Sequence, residues 1–119
     1  MKKYTRICAR IDLDAIEYNL EMMRRRLPSD TKMIGVIKMD GYGHGAAQIA
    51  KYVMEEKNYI WGYAAATPDE AALLRKKGIQ KPILVLGCTF PEQRDEMIRQ
   101  EIRMTCYTEE MARDVSERA

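Results

Sequence analysis

Short apolar strands alternate with amphipathic helices along most of this chain, and this alternation limits the fold more than any other feature. Strands are predicted at residues 32–38, 59–65, 83–86 and 102–107, and each is followed by a helix. Strands separated by helices pair in parallel through right-handed crossovers. The pattern therefore predicts an α/β protein, either an open doubly wound sheet or part of a barrel, and four such units are half of a (β/α)8 barrel.

The helix after the second strand has the clearest boundary signals. Thr67 suits the N-cap, Pro68 the first helical position, and Glu70 the acidic third position. Gly78 supplies the left-handed stop. These residues predict a helix over 68–77.

The segment before the first unit shows a two-residue alternation. Ile7, Ala9 and Ile11 would lie on one side of a half-exposed strand over residues 6–11, and Asp12 would cap a helix. Apolar residues then recur at helical spacing as far as Pro28: Ile16, Leu20, Met23 and Leu27. A strand followed by a helix is therefore predicted here too.

Two of the predicted strands carry specific packing expectations. Residues 33–37 are apolar on both faces, which is typical of a parallel strand covered on each side. Trp61 and Tyr63 belong to the next strand, and we expect both to pack beneath a helix.

Composition excludes several classes of protein. With 20 Lys+Arg against 18 Asp+Glu and a net charge of +2, the chain has no indicated nucleic-acid-binding surface. Its apolar runs are far shorter than the roughly 18–20 residues of a membrane helix, and no signal region follows the basic N-terminus. Three scattered cysteines and one histidine give no metal-ligand spacing. We expect a cytoplasmic protein without a membrane partner.

Lys38 is the first candidate for chemistry, because it closes the strand predicted at residues 32–38. Parallel α/β sheets place their reactive groups at the carboxyl ends of strands. A neutral lysine amine in such a position can attack a carbonyl and form a Schiff base. The alternative is a lysine that only extends its charge into water.

The turn after Lys38 adds a second indication. Gly41, Gly43 and Gly45 free three backbone positions just before a predicted helix, where N–H groups can converge on an anion, and Tyr42 offers a hydroxyl. The lysine precedes the glycines, so this is not a nucleotide-binding loop. Together these residues indicate a ligand with a carbonyl and a phosphate, and pyridoxal phosphate is the common cofactor of that description.

Two further residues of this turn are predicted to have supporting roles. Asp40 is expected to form the turn by accepting a hydrogen bond from nearby backbone. His44, the single histidine, is expected to have a structural role through a hydrogen bond and to make no contact with the reacting atoms.

Residues 36–45, VIKMDGYGHG, resemble the pyridoxal-phosphate attachment signature of the alanine racemases. In that signature the lysine is followed by a small residue, Asn or Asp, Ala or Gly, and Tyr-Gly-His-Gly. The similarity continues in matching order through residues 11–16 with Asn19, residues 69–71 with Leu74-Arg75 and Gly78-Ile79, and residues 82–87. Met39 departs from the usual small residue and leaves the reactive atoms in place.

The resemblance implies a role for three residues. Lys38 would hold pyridoxal 5'-phosphate and act as a base on one face of the substrate α-carbon. Tyr42 would bind the phosphate, and Leu86 would line the cofactor pocket. The implied activity is that of an isomerase that interconverts L-alanine and D-alanine for peptidoglycan precursor synthesis.

The resemblance also implies an architecture. Residues 1–119 would form a single partial domain, the N-terminal half of a (β/α)8 TIM-type barrel, with the C-terminal β-domain absent. In the family a tyrosine from the C-terminal domain of a second subunit serves the opposite face of the substrate, which implies a homodimer. We expect this chain alone to lack full activity.

Three alternatives remain open from the sequence. Serine racemases of the same family share the motif, so serine could replace alanine as the substrate. A non-catalytic protein that binds pyridoxal phosphate would also use a lysine, although Tyr-Gly-His-Gly points away from the known single-domain carriers. The third alternative is an inactive fragment that associates through an unpaired strand edge.

Overall fold

Four parallel strands form one sheet, and their order in the sheet follows the chain. The computed structural model describes residues 6–119. The strands are β1 (Met33–Val36), β2 (Ile60–Ala65), β3 (Ile83–Val85) and β4 (Ile102–Met104), in the order β1-β2-β3-β4. A doubly wound sheet reverses its strand order partway, whereas this sheet does not. The order is that of a half barrel, so the predicted α/β class is confirmed.

Each strand is preceded and followed by a helix, and three of the helices have an N-cap side chain that is hydrogen-bonded to the first turn. They are α1 (Leu13–Arg24), α2 (Ala46–Ile49, continued by a π turn over Ala50–Met54), α3 (Pro68–Lys76), α4 (Pro91–Arg99) and α5 (Glu109–Arg118). The side chains of Asp12, Thr67 and Thr108 each accept a hydrogen bond from the backbone N–H three residues later. In residues 6–119 no helix is long and apolar enough to cross a membrane.

Helix α1 ends four residues before Pro28. The Arg24 guanidinium donates to the carbonyl oxygens of Pro28 at 3.0 Å and Ser29 at 2.6 Å, which folds the chain back at the helix end. Leu27 therefore lies in a turn and is 38% exposed, contrary to the predicted helical stripe. The apolar spacing continued past the point where these polar contacts end the helix.

The core lies on one face of the sheet, beneath the helices. One buried cluster joins residues of α1, α2, α3 and α4 to the strands. Tyr63 is fully buried there, and its hydroxyl donates to Glu55 Oε2 at 2.7 Å and to the Ala50 carbonyl at 3.3 Å. Burial and the Glu55 carboxylate raise the pKa of the Tyr63 phenol. The prediction that Tyr63 packs beneath a helix is confirmed.

The opposite face of the sheet is open in the described residues. Ile34 is 45% and Val36 is 44% exposed, so the prediction that this strand is covered on both sides is wrong for residues 6–119. Periodicity reports which positions are apolar and does not report what covers them.

Trp61 is also on this open face, and the prediction that it packs beneath a helix is wrong. The register of β1 with β2 shifts between Met33 and Ile34, whose partners are Ile60 and Gly62, so Trp61 is the extra residue. The Arg103 guanidinium lies 5.1 Å from the centre of its ring. A bulge changes which side chains share a face, and sequence alternation gives no sign of it.

The strand predicted over residues 6–11 is absent. Residues 7–12 have no regular structure, and Ile7 is 88% exposed. A strand needs a neighbour to receive its backbone hydrogen bonds, and within residues 6–119 the sheet contains only the strands β1 to β4. The side-chain alternation of residues 7–11 is present in the sequence, but this segment has no neighbouring strand in residues 6–119 with which to pair.

Candidate functional site

Lys38 lies where the chain leaves β1, at the carboxyl edge of the sheet. The strand ends at Val36, and the N–H of the buried Ile37 still donates to the Ala64 carbonyl of β2 at 3.0 Å. Lys38 follows and is half-buried. The ends of β2 and β3 lie at the same edge, so the predicted position of Lys38 is confirmed to within two residues of the strand end.

The turn after Lys38 is left-handed. Met39, Asp40 and Tyr42 have φ angles of 54°, 54° and 56°, and Gly41 between them has 64°. The left-handed conformation costs a residue with a side chain roughly 1–2 kcal/mol. Four consecutive left-handed residues, three of them with side chains, directly follow one lysine. Such clusters are typical of functional sites, where the surrounding structure holds the strain.

Backbone hydrogen bonds close the turn on itself. The N–H of Gly41 donates to the Ile37 carbonyl at 2.9 Å, and the N–H of Gly43 donates to the Met39 carbonyl at 3.0 Å. Gly43 has a φ of 83°, and a Cβ placed there would meet no atom within 4 Å. Hydrogen bonds within the turn thus satisfy the N–H groups of Gly41 and Gly43, and the space beside Gly43 is open.

Asp40 connects this turn to helix α2. Its Oδ1 accepts from the Ala46 N–H at 2.9 Å, and its carbonyl accepts from the Gly45 N–H at 2.8 Å. Asp40 is therefore the turn-forming residue that the sequence predicted. His44 Nδ1 lies 3.2 Å from the Tyr42 carbonyl, to which it donates in the tautomer protonated there, so it is hydrogen-bonded as expected.

Glu70 is a residue whose role at this site the sequence did not reveal. Its Oε1 accepts from the Met39 N–H at 3.0 Å, and its Oε2 accepts from the Ala66 N–H at 2.7 Å. The sequence placed Glu70 correctly in the first turn of α3, and the capping pattern accounted for it fully there. Nothing in that local pattern indicates a partner 31 residues earlier in the chain.

The structure brings two of the predicted site residues together. Lys38 Nζ lies 6.0 Å from the centre of the Tyr42 ring, within the range of a cation–π interaction, and Tyr42 is 57% exposed. Leu86 follows β3 at the same edge, two strands from β1, and is 39% exposed. Its N–H donates to the Ala65 carbonyl at 2.8 Å.

These groups fit pyridoxal phosphate by their chemistry. Lys38 provides a primary amine for a carbonyl carbon, and Tyr42 provides a phenol that can donate to a phosphate oxygen. Half-exposed apolar side chains, Val36 and Leu86, lie along the same edge and can pack against a ring. The open space at Gly43 leaves room for a group beside the turn.

Comparison with known proteins gives one consistent result. The sequence model of the family described as alanine racemase, N-terminal domain, matches residues 11–119. Alanine racemase 1 of Clostridium acetobutylicum is 42% identical over 113 residues, which are 95% of this chain and 28% of that protein. Alanine racemase of Geobacillus stearothermophilus is 41% identical over 108 residues, 91% of this chain and 27% of that protein.

A solved structure agrees with the sequence comparisons. Alanine racemase from Clostridium difficile 630 superposes with a TM-score of 0.86 at 41% identity, covering 92% of this chain and 29% of that one. The chain thus spans little more than a quarter of the length of the relatives it matches.

Proposed function

This chain belongs to the family of the alanine racemase N-terminal domain, and from that membership we propose that it supplies the cofactor-binding lysine of a pyridoxal-phosphate-dependent racemase. The proposed reaction is the interconversion of L-alanine and D-alanine, which supplies peptidoglycan precursors. One observation supports it most: Lys38 stands on a strained left-handed turn at the carboxyl edge of the sheet, with Tyr42 beside it.

Each residue of the site has a task in this proposal. Lys38 Nζ would hold the cofactor at its carbonyl carbon, and the lysine amine, freed when the substrate amino group takes its place there, would carry a proton to or from one face of the substrate α-carbon. The Tyr42 hydroxyl donates to the phosphate, and Leu86 packs against the ring. Pyridoxal phosphate supplies the electron sink that stabilises negative charge on the α-carbon.

Racemisation requires a proton donor on each face of the α-carbon. Lys38 serves one face, and we assign the other to a tyrosine of a second subunit, as the sequence resemblance implies. A homodimer and a cytoplasmic location are part of the same proposal. Serine is the substrate to compare with alanine, because Lys38 acts on the α-carbon, which both amino acids share, and Tyr42 acts on the phosphate of the cofactor.

The test is whether Lys38 is selected over other lysines. Pyridoxal phosphate is added, the visible absorption is recorded, and borohydride reduction followed by peptide mapping locates the adduct. Lys51 is a matched control, because its Nζ lies 5.6 Å from the Tyr52 ring and both side chains are exposed to solvent on α2. We expect a visible band, and reduction onto Lys38 that disappears in Lys38→Ala and persists in Lys51→Ala.

Two results would contradict the proposal. One is an adduct spread evenly over Lys38, Lys51 and other surface lysines. The other is a visible band that survives unchanged in Lys38→Ala.

A further inference from the structure

The left-handed turn that carries Lys38 is held from outside by one carboxylate. Glu70 Oε1 accepts from the Met39 N–H at 3.0 Å and Oε2 accepts from the Ala66 N–H at 2.7 Å. Met39 directly follows Lys38, and Ala66 directly follows β2. Glu70 thus connects the turn to the end of the neighbouring strand.

We propose that Glu70 is a positioning residue for Lys38, and that its carboxylate fixes the left-handed turn from which the lysine amine reaches its carbonyl partner. The inference rests on the proposed function for the identity of that partner. Glu70 itself touches backbone and no reacting atom.

The backbone of the turn explains why an external partner is needed. Met39 has a φ of 54°, so the first residue after Lys38 already stands in an unfavourable conformation. The hydrogen bonds within the turn use the N–H groups of Gly41 and Gly43, and the Met39 N–H is satisfied by Glu70. Removing Glu70 leaves this donor without its partner and the strain at Met39 uncompensated.

The geometry requires a carboxylate of this length. Both oxygens of Glu70 accept, whereas glutamine has one acceptor oxygen and one NH2 group. In Glu70→Gln the NH2 group would face a backbone N–H, and one of the two links would be lost. In Glu70→Asp the charge remains, but the side chain is one methylene shorter and cannot reach both N–H groups.

Local sequence explains how Glu70 comes to this position. Thr67 caps α3 by accepting from the Glu70 N–H at 3.3 Å, which fixes the backbone of the first turn. Asp69 lies in the same turn and is exposed. Asp69→Asn therefore removes one charge from the same helix end without touching the link to Met39, and is the matched control.

The first measurement uses no cofactor. Amide hydrogen exchange at Met39 and Ala66 is followed by NMR in the wild type, Glu70→Gln, Glu70→Asp and Asp69→Asn, well below the midpoint of thermal unfolding of each. We expect exchange at Met39 to become about tenfold faster in both Glu70 variants. In Asp69→Asn it should stay within about twofold of the wild type.

The second measurement follows adduct formation at Lys38 with pyridoxal phosphate across pH. Both Glu70 variants should form the Lys38 adduct about tenfold less favourably and with a displaced pH profile. Asp69→Asn should match the wild type. A purely structural loss of stability would leave the yield and the pH profile unchanged in folded protein.

The outcomes separate this inference from the proposed function. Unchanged exchange at Met39 in both Glu70 variants overturns the inference. Faster exchange with an unchanged Lys38 adduct also overturns it, because Glu70 would then be only structural. If the wild type forms no adduct at Lys38, the proposed function fails, and the exchange at Met39 still decides whether Glu70 holds the turn.

Discussion

The buried Tyr63 hydroxyl donates a hydrogen bond of 2.7 Å to the Glu55 carboxylate. The other oxygen of that carboxylate accepts from the backbone N–H groups of Gln80 and Lys81. One side chain thus joins the end of α2 to β2 and to the segment that leads into β3. The loss of either partner should weaken all three connections.

Tyr63→Phe tests this connection. Removing the hydroxyl leaves a Glu55 oxygen short of one donor, and we expect the free energy of unfolding to fall by about 1–2 kcal/mol, measured by urea denaturation. Tyr18 is 65% exposed, so Tyr18→Phe should change it by less than about 0.5 kcal/mol. Equal effects of the two substitutions would contradict the structural role of the Tyr63 hydroxyl.

Arg75 is expected to resist replacement by lysine. Its guanidinium donates to four backbone carbonyl oxygens, those of Ile79, Lys81, Gln100 and Glu101. Lysine carries its donors on a single atom and cannot reproduce this fork, so Arg75→Lys should lower the free energy of unfolding by about 2–3 kcal/mol. Arg99 pairs with Glu96 at the surface, and Arg99→Lys should cost less than about 0.5 kcal/mol in the same urea titration.

Asp114 should contribute to the dependence of stability on pH. Hydrogen bonds from Arg118 and then Arg94 lower the pKa of this carboxyl below its ordinary value of 3.8. Since the folded-state pKa is the lower one, this stabilisation is present above about pH 4 and is lost as the pH falls through the folded-state value. Between about pH 4 and pH 2 the urea midpoint should therefore fall less steeply in Asp114→Asn than in the wild type.

Salt provides the control for this pH experiment. Screening weakens attraction between partly exposed charges, so the difference between the two proteins should shrink in about 1 M salt. Identical pH profiles of wild type and Asp114→Asn at low salt would contradict the assigned role of the carboxylate.

Tyr42→Phe tests whether the Tyr42 hydroxyl binds the phosphate group of the cofactor or another part of it. If the hydroxyl donates to the phosphate, the variant should bind pyridoxal phosphate about five- to tenfold more weakly, and bind pyridoxal, which lacks the phosphate, as the wild type does. Spectral titration with both compounds measures this. Tyr52→Phe, beside Lys51 on α2, should leave both affinities unchanged. A parallel loss for both compounds would contradict the assignment.

Much of the architecture could be predicted because it depends on local patterns. The N-caps Asp12 and Thr67 need only a side-chain oxygen three residues before a free N–H, and both form as expected. The strand over residues 6–11 was predicted wrongly because alternation describes a side-chain pattern, whereas a strand also requires a partner.

The sequence could identify individual residues of the site, but it could not predict the backbone conformation and the long-range contacts that bring them together. The motif identified Lys38, Asp40 and Tyr42, which lie close together in the chain. Left-handed backbone at Met39 opposes the ordinary preference of such a residue, so no propensity predicts it. The contact of Glu70 with Met39 depends on the pairing of β1 with β2, which brings distant residues together.

The π turn over Ala50–Met54 has a consequence for where Glu55 points. In this turn the Glu55 N–H donates to the Ala50 carbonyl, five residues earlier, so the helix accommodates one residue more than an α-helix would. Each residue advances a helix by roughly 100° around its axis. That additional residue sets the angular phase at which the carboxylate of Glu55 meets Tyr63, and shortening the turn by one residue would rotate the carboxylate away from the sheet.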